Sequence, residues 1–348
     1  MKRLLAVVGA LLLAGLAAAG AFAWVTWHEL ETFRTTPHGG AEEKVVEIPP
    51  GSSPRAVVRA LARAGVLADG EVAWRYVRWL KRDRRPFKAG EYAFAGPLTP
   101  DQALERVYRG EIKLYRFTVP EGLRVEETAE IVGRSGLASE QAFTLLARDP
   151  AVARSLGVPF DSLEGYLFPD TYAFARGTTA LQIAEAMVRR TREEYALASA
   201  ARGPDVRLDE GEAVTLASII EKETGQPAER PRISCVFHNR LARHMRLATD
   251  PTVMYATFLR TGRWSKNISR ADLRTPHPYN TYLVAGLPPG PIASPGAASL
   301  RAALDPIACQ DLFFVSRNDG THVFCPDLAC HEAAVHRWQV EYFRRRHP

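Results

Sequence analysis

Several things are scarce in this 348-residue chain, and each scarcity narrows the reading. No basic stripe interleaved with aromatics runs through it, so no nucleic-acid partner is expected. The charge itself is only modestly positive: 45 lysines and arginines against 39 acidic residues, a formal +6, with a pI near 9.2. Such an excess suits an anionic polymer or a membrane surface. Cysteine is rare, with only Cys235, Cys309, Cys325 and Cys330. Four cysteines allow three complete pairings, and sequence does not choose among them. An oxidising exterior would permit pairing, and the three near the C-terminus suggest a staple there. Cys325, Cys330 and His331 match no familiar zinc spacing, so no metal and no cofactor is expected. No glycine elbow surrounds Ser218, which argues against a Ser218–His322 hydrolase dyad. With 46% hydrophobic and 24% charged residues, the chain has too much apolar material for wholesale disorder, and its length allows two or three domains.

What is present begins at the N-terminus. Lys2 and Arg3 precede an uncharged apolar stretch, Leu4 to Trp27, long enough as a helix to cross a hydrocarbon layer about 30 Å thick. Residues 1–3 would form a cytoplasmic tip, 4–27 a single transmembrane anchor and 28–43 a polar linker. Trp24 and Trp27 mark the far interface, and the basic residues place the body outside the cytoplasm. A cleaved signal peptide ending near Ala17-Ala18-Ala19 is the competing reading, and it exports the body too.

An internal repeat follows. Ile48-Pro49-Pro50-Gly51 resembles Val119-Pro120-Glu121-Gly122 at an offset of 71, and Arg63-Ala64-Gly65-Val66 maps onto Arg134-Ser135-Gly136-Leu137 at the same offset. Each copy reads strand, Pro-x-Gly turn, helix (Pro54–Ala64 and Val125–Ser135), glycine stop, second helix. The first copy closes with a strand, Gly90–Phe94. This strand–helix–helix–strand layout over residues 44–115 resembles a LysM carbohydrate-binding module. A plain spacer domain has the same layout, because fold does not dictate function. Helices are expected again at Asp101–Arg109, Glu140–Ala147, Ala180–Ala198 and Asp209–Thr224, with Gly225 ending that one, and finally from Cys330 to about Arg345. The cluster Phe343-Arg344-Arg345-Arg346-His347 reads as a solvated chain end. The fold class is α+β: an anchor, a small α/β subdomain, and a mixed α/β domain over 116–348.

The helix at Asp209 carries the chemistry. Asp209 and Glu212 form a capping-box pattern. Projected at about 100° per residue, Glu221 falls between Ala217 and Val214, and Glu223 between Leu216 and Ile219. Both carboxylates thus lie within the apolar arc, with Lys222 outside it. Lost hydration disfavours the charged form, which is what a general acid needs near neutral pH. The alternative is two rim glutamates paired with Arg230 or Arg232. Periodicity does not choose between Glu221 and Glu223.

The run Leu216-Ala217-Ser218-Ile219-Ile220-Glu221-Lys222-Glu223-Thr224 resembles the core motif of the endolytic murein transglycosylases, the YceG-like family. So do Glu164–Tyr172, Thr249–Val253, Tyr279-Asn280-Thr281-Tyr282 and the loop Gly286–Gly296. The resemblance implies a single-pass inner-membrane protein with a LysM-like subdomain, acting on peptidoglycan glycan strands. It implies that Glu221 is the catalytic acid, and it leaves the cysteines without a role. Glu164, Glu223, Asp250, Tyr279, Asn280 and Thr281 are the candidate substrate-binding residues. Asn280 equally suits a turn, and Asp250 a turn start. The implied reaction is non-hydrolytic and ends in a 1,6-anhydro ring, trimming nascent strands, with a peptidoglycan synthase as a possible partner. A non-catalytic peptidoglycan scaffold and a hydrolytic muramidase are the rival functions.

Overall fold

The computed structural model describes residues 1–265, 267–342 and 344. Apart from Arg344, the C-terminal basic cluster and the end of the expected last helix lie outside the described residues. The chain forms two compact units. One is Met1–Tyr115 with Ala175–Gly177, the other Arg116–Phe174 with the chain from Thr178 on.

In the first unit, α1 (Lys2–Thr35) is one unbroken helix, long and apolar enough to cross a membrane. Leu5, Leu12, Leu16, Phe22 and Trp24 are all exposed, a pattern that hydrocarbon satisfies and water does not. The helix outruns the expected span. Residues 28–35, assigned above to the linker, are helical because Leu30 and Phe33 turn inward. Leu30 is buried in the unit's core, and the Phe33 ring lies 5.8 Å from that of Tyr76. The rest of the unit is β1 (Lys44–Ile48), α2 (Pro54–Arg63), α3 (Gly70–Arg75, winding on more widely through Lys81), β2 (Gly90–Phe94) and α4 (Pro100–Arg109). β1 and β2 pair antiparallel, Lys44 opposite Phe94 and Ile48 opposite Gly90. Val57, Val58 and Leu61 on one face of α2 pack with Tyr92, Leu104 and Val107. Ser53 and Thr99 cap α2 and α4 by accepting backbone N–H bonds.

β3 (Leu114–Thr118) leads into the second unit, followed by α5 (Val125–Arg134), α6 (Glu140–Ala147), α7 (Pro150–Ser155) and β4 (Thr171–Ala175), which pairs with β3. The repeat seen in sequence is therefore a repeat of fold. The turn glycines Gly51 and Gly122 share φ of 76° and 74°, a left-handed turn that disfavours a side chain. In the second copy α7 and the turn-rich Glu164–Asp170 segment delay the returning strand.

Next come α8 (Ala180–Ala200), α9 (Glu210–Glu223), α10 (Arg230–Ala242), α11 (Asp250–Thr261), α12 (Arg270–Arg274), α13 (Ala297–Leu304), β5 (Phe313–Ser316), β6 (His322–Cys325) and α14 (Leu328–Val335, winding on through Glu341). α9 is central. Every residue from Ala213 to Ile220 is buried, against α10, α11 and α13. Its capping box forms as expected, with Asp209 Oδ1 accepting the Glu212 N–H at 2.8 Å and Glu212 Oε2 the Asp209 N–H at 3.0 Å. Its end differs. The chain leaves through an extended Thr224, whose hydroxyl accepts the Gln226 N–H at 2.9 Å, and Gly225 is no left-handed cap. β5 and β6 form an antiparallel hairpin that periodicity did not reveal. Cys235–Cys309 ties α10 to the segment between α13 and β5, and Cys325–Cys330 ties β6 to α14.

Candidate functional site

Glu221 lies in the last turn of α9 with its side chain 6% exposed. Three donors fix it. Arg230 Nη2 gives a bond to Oε1 at 2.9 Å, while the Gly296 N–H and the Ser299 hydroxyl bond Oε2 at 3.1 and 2.7 Å. Gly296 is the N-cap of α13, so the carboxylate sits at the positive end of that helix. The basic partner weighed above is real for Glu221: it is Arg230, whereas Arg232 bonds Asp311 at 2.7 Å. Arg230 is itself buried and shared. The same Nη2 reaches Glu121 Oε2 at 3.4 Å, and its Nε is buried without a hydrogen-bond partner.

The surrounding backbone is locked. Gly122 N–H donates to Ser294 O and Ser294 N–H to Leu123 O, both at 2.8 Å, and Lys222 Nζ donates to Gly122 O at 3.0 Å. The Pro-x-Gly turn of the second repeat copy is thereby stitched to the loop Gly286–Gly296 and to α9. The loop is pinned further by the Ile292 N–H on Ser218 Oγ and by Pro291 against Gly165. Gly165 has φ +80°, and a Cβ there would lie 2.3 Å from Pro291 Cβ, so only glycine lets the loop close.

Glu223 has a different environment. It lines a 560 Å³ cavity with Asp250, Tyr282, Arg240, Phe313, Phe314 and His322. Burial pushes its carboxyl up to about 7, against the opposing hydrogen bond from the Thr249 hydroxyl. Asp250 Oδ1 accepts the Tyr282 hydroxyl at 2.7 Å. Two carboxylates beside aromatic faces in one cavity form a surface suited to a sugar.

Residues 46–337 match the sequence model of the YceG-like family. This chain belongs to that family. It is 30% identical over 309 residues to an endolytic murein transglycosylase of Bacillus subtilis, covering 84% of each chain. It is 29% identical to one from Streptococcus pneumoniae, across 78% of this chain and 54% of that longer relative. A crystal structure of a YceG-like protein from Listeria monocytogenes superposes with a TM-score of 0.54 at 30% identity, covering 84% of this chain and 99% of the other.

Within this YceG-like unit the remaining candidates separate. Glu164 is buried and bonded by Arg148 Nη2 at 2.7 Å, the Tyr255 hydroxyl at 2.9 Å and the Val125 N–H at 3.1 Å. Burial pushes its carboxyl up, and Arg148 pulls it back. With Tyr279 it borders a separate 400 Å³ cavity. Asn280 departs from the sugar-binding expectation. It is fully buried, its amide donating to the carbonyls of Asp272, Leu273 and Thr275 while Oδ1 accepts the Tyr282 N–H. Every polar atom of the side chain is used inside the fold. Thr281 is likewise buried, accepting the Thr249 N–H and bonding the Thr252 hydroxyl. Asn280 thus ties its turn to the end of α12, and Thr281 ties the same turn to Thr249 at the start of α11. Ser218 bonds Thr215 O and His322 bonds Glu229, so no dyad forms. Sequence reading missed Glu121, Ser299 and Gly296 as neighbours of Glu221. Only Glu121 left a trace: it stands where the first repeat copy has Pro50.

Proposed function

We propose that this chain is an endolytic murein transglycosylase whose acid is Glu221. The observation that carries this reading is the Glu221 carboxylate, nearly buried and held in one orientation by Arg230, Gly296 and Ser299 inside the family's core motif. The enzyme class is lytic transglycosylase, a carbon–oxygen lyase acting on polysaccharide. The substrate is the glycan strand of peptidoglycan, cleaved between N-acetylmuramic acid and N-acetylglucosamine.

The chemistry balances without water. Glu221 gives its proton to the bridging oxygen as the bond to C1 breaks, and the sugar gains oxocarbenium character. The 6-hydroxyl of the same sugar attacks C1, and its proton returns to Glu221, closing the 1,6-anhydro ring. An attacking group within the substrate gains from proximity, so no second catalytic carboxylate, metal or cofactor takes part. The cavity of Glu223, Asp250 and Tyr282 binds part of the strand. Residues 116–348 form the catalytic domain, and 44–115 a LysM-like subdomain whose strand–helix–helix–strand layout supports that likeness. α1 anchors the protein in the inner membrane with the body outside, where it trims nascent strands beside a peptidoglycan synthase.

The test is product mass. Purified wild type should release anhydro-ended muropeptides from sacculi, and Glu221→Gln, folded by circular dichroism, should lose at least about 100-fold of the rate. Substantial anhydro product from the variant would sink the assignment. A hydrolytic muramidase is the second reading, because a second carboxylate, that of Glu121, shares Arg230 with Glu221, and paired carboxyls are what hydrolysis uses. Reducing ends, heavier by one water, would decide for it.

A further inference from the structure

Glu121 is a carboxylate beside the acid to which neither the motif nor the family name assigns a role. The two copies of the repeat build the same Pro-x-Gly turn, yet only the second puts a charge in it: Pro50 in the first, Glu121 in the second. That turn is stitched by three hydrogen bonds to the Gly286–Gly296 loop and to Lys222. The carboxylate is delivered against Gly296, where a Cβ would lie 1.9 Å from Glu121 Oε1. Gly296 has an ordinary φ of −80°, so its lack of a side chain serves space and not backbone strain. The N–H of the same residue bonds Glu221. One residue thus carries both acids on its two sides, and one guanidinium, that of Arg230, faces both.

This arrangement sets a conflict. The Gly296 N–H and the Ser299 hydroxyl occupy Oε2, so Oε1 is the oxygen left to face a substrate, and the Arg230 guanidinium holds it at 2.9 Å. Glu121 competes for that guanidinium from a half-exposed position, at 3.4 Å, where its own side chain has room to move. We propose that Glu121 is a positioning residue for Glu221: it draws Arg230 aside and so frees Glu221 Oε1 for the substrate oxygen. The proposal rests on the assignment of Glu221 as the acid. It makes Arg230 a movable counter-ion, in keeping with an Nε that has no hydrogen-bond partner among the described residues.

The experiment measures kcat and KM for release of anhydro-ended product by the full-length protein in detergent. The variants are Glu121→Gln, Glu121→Asp, Gly296→Ala, Arg230→Gln and the double Glu121→Gln/Arg230→Gln, with Glu221→Gln as control. Glu121→Gln should lower kcat by about tenfold or more with KM little changed, the size of a partial loss of acid catalysis. Glu121→Asp should recover part of that loss. Gly296→Ala should reproduce it without altering any charge, because the new methyl displaces the carboxylate. The double variant should be faster than Glu121→Gln, since without the guanidinium there is nothing left to relieve, and this non-additivity is the signature of action through Arg230. Equal melting temperatures for wild type and Glu121→Gln are expected, given the exposed side chain. A wild-type kcat in Glu121→Gln, a change in KM alone, or additive losses in the double variant would overturn the proposal. So would reducing-end products that vanish in Glu121→Gln, which would make Glu121 a water-activating base. Activity surviving in Glu221→Gln would instead defeat the assignment of the acid, so the two failures are distinct.

Discussion

At the scale of single residues, two glutamates one residue apart on α9 meet opposite fates. Helical projection placed both within the apolar arc and treated them alike. In the fold Glu221 meets three donors, whereas Glu223 loses its water and keeps one hydroxyl partner, the Thr249 side chain. The pH consequence for Glu223 follows by linkage. Its folded value, about 7, lies above the usual carboxyl value of 4.5, so the folded state holds the proton that the unfolded state has released. Its stabilising contribution is complete below pH 4.5 and is lost as the pH rises through 7. The loss is at most about 3 kcal/mol for a shift of this size. Glu223→Gln should remove that decline, so the variant gains on wild type between pH 4.5 and 8. Urea midpoints at the two pH values check this, and a difference that does not change with pH would refute it.

At the scale of elements, the legible features were those written in neighbouring residues. The capping box of α9, the Pro-x-Gly turns and the glycine stops after α2 and α5 depend on local geometry and appear where the sequence places them. The hairpin of β5 and β6 was not legible, because Phe313-Phe314-Val315 and His322-Val323-Phe324 are apolar runs too short to separate strand from buried helix. Residues 28–35 were misjudged for a related reason. Their polar surface looked like a linker, and only the packing of Leu30 into a core shows why the helix continues. The loop Gly286–Gly296 is where one element depends most on another. Gly165→Ala should force a side chain into φ +80° and against Pro291, costing about 2–5 kcal/mol and lowering the melting midpoint. An unchanged midpoint would show that the loop does not need this close approach.

At the scale of the whole molecule, α1 is long and apolar enough to cross a membrane, and it contrasts with the folded body. α1 exposes its apolar side chains over the length of a membrane span, while the two units bury theirs in separate cores. Full-length protein expressed in bacteria should therefore stay with the membrane fraction through alkaline carbonate extraction. Release of intact protein by carbonate would argue that α1 does not span. Both disulfides lie in the unit that the anchor reading exports, where oxidation is permitted.

The amino-acid sequence by itself determined the apolar N-terminal span, the repeat, the extents of α2, α4, α5, α6, α8 and α9 to within two residues, and the family, because each is encoded in contiguous residues or in motif order. Tertiary structure alone decided which cysteines pair and that the Asn280 and Thr281 side chains are buried and hydrogen-bonded inside the fold. It also decided that Glu121, a hundred residues before Glu221 in the chain, shares its arginine. Those outcomes depend on side chains brought within a few ångströms by the packing of distant elements, and no local pattern records such distances.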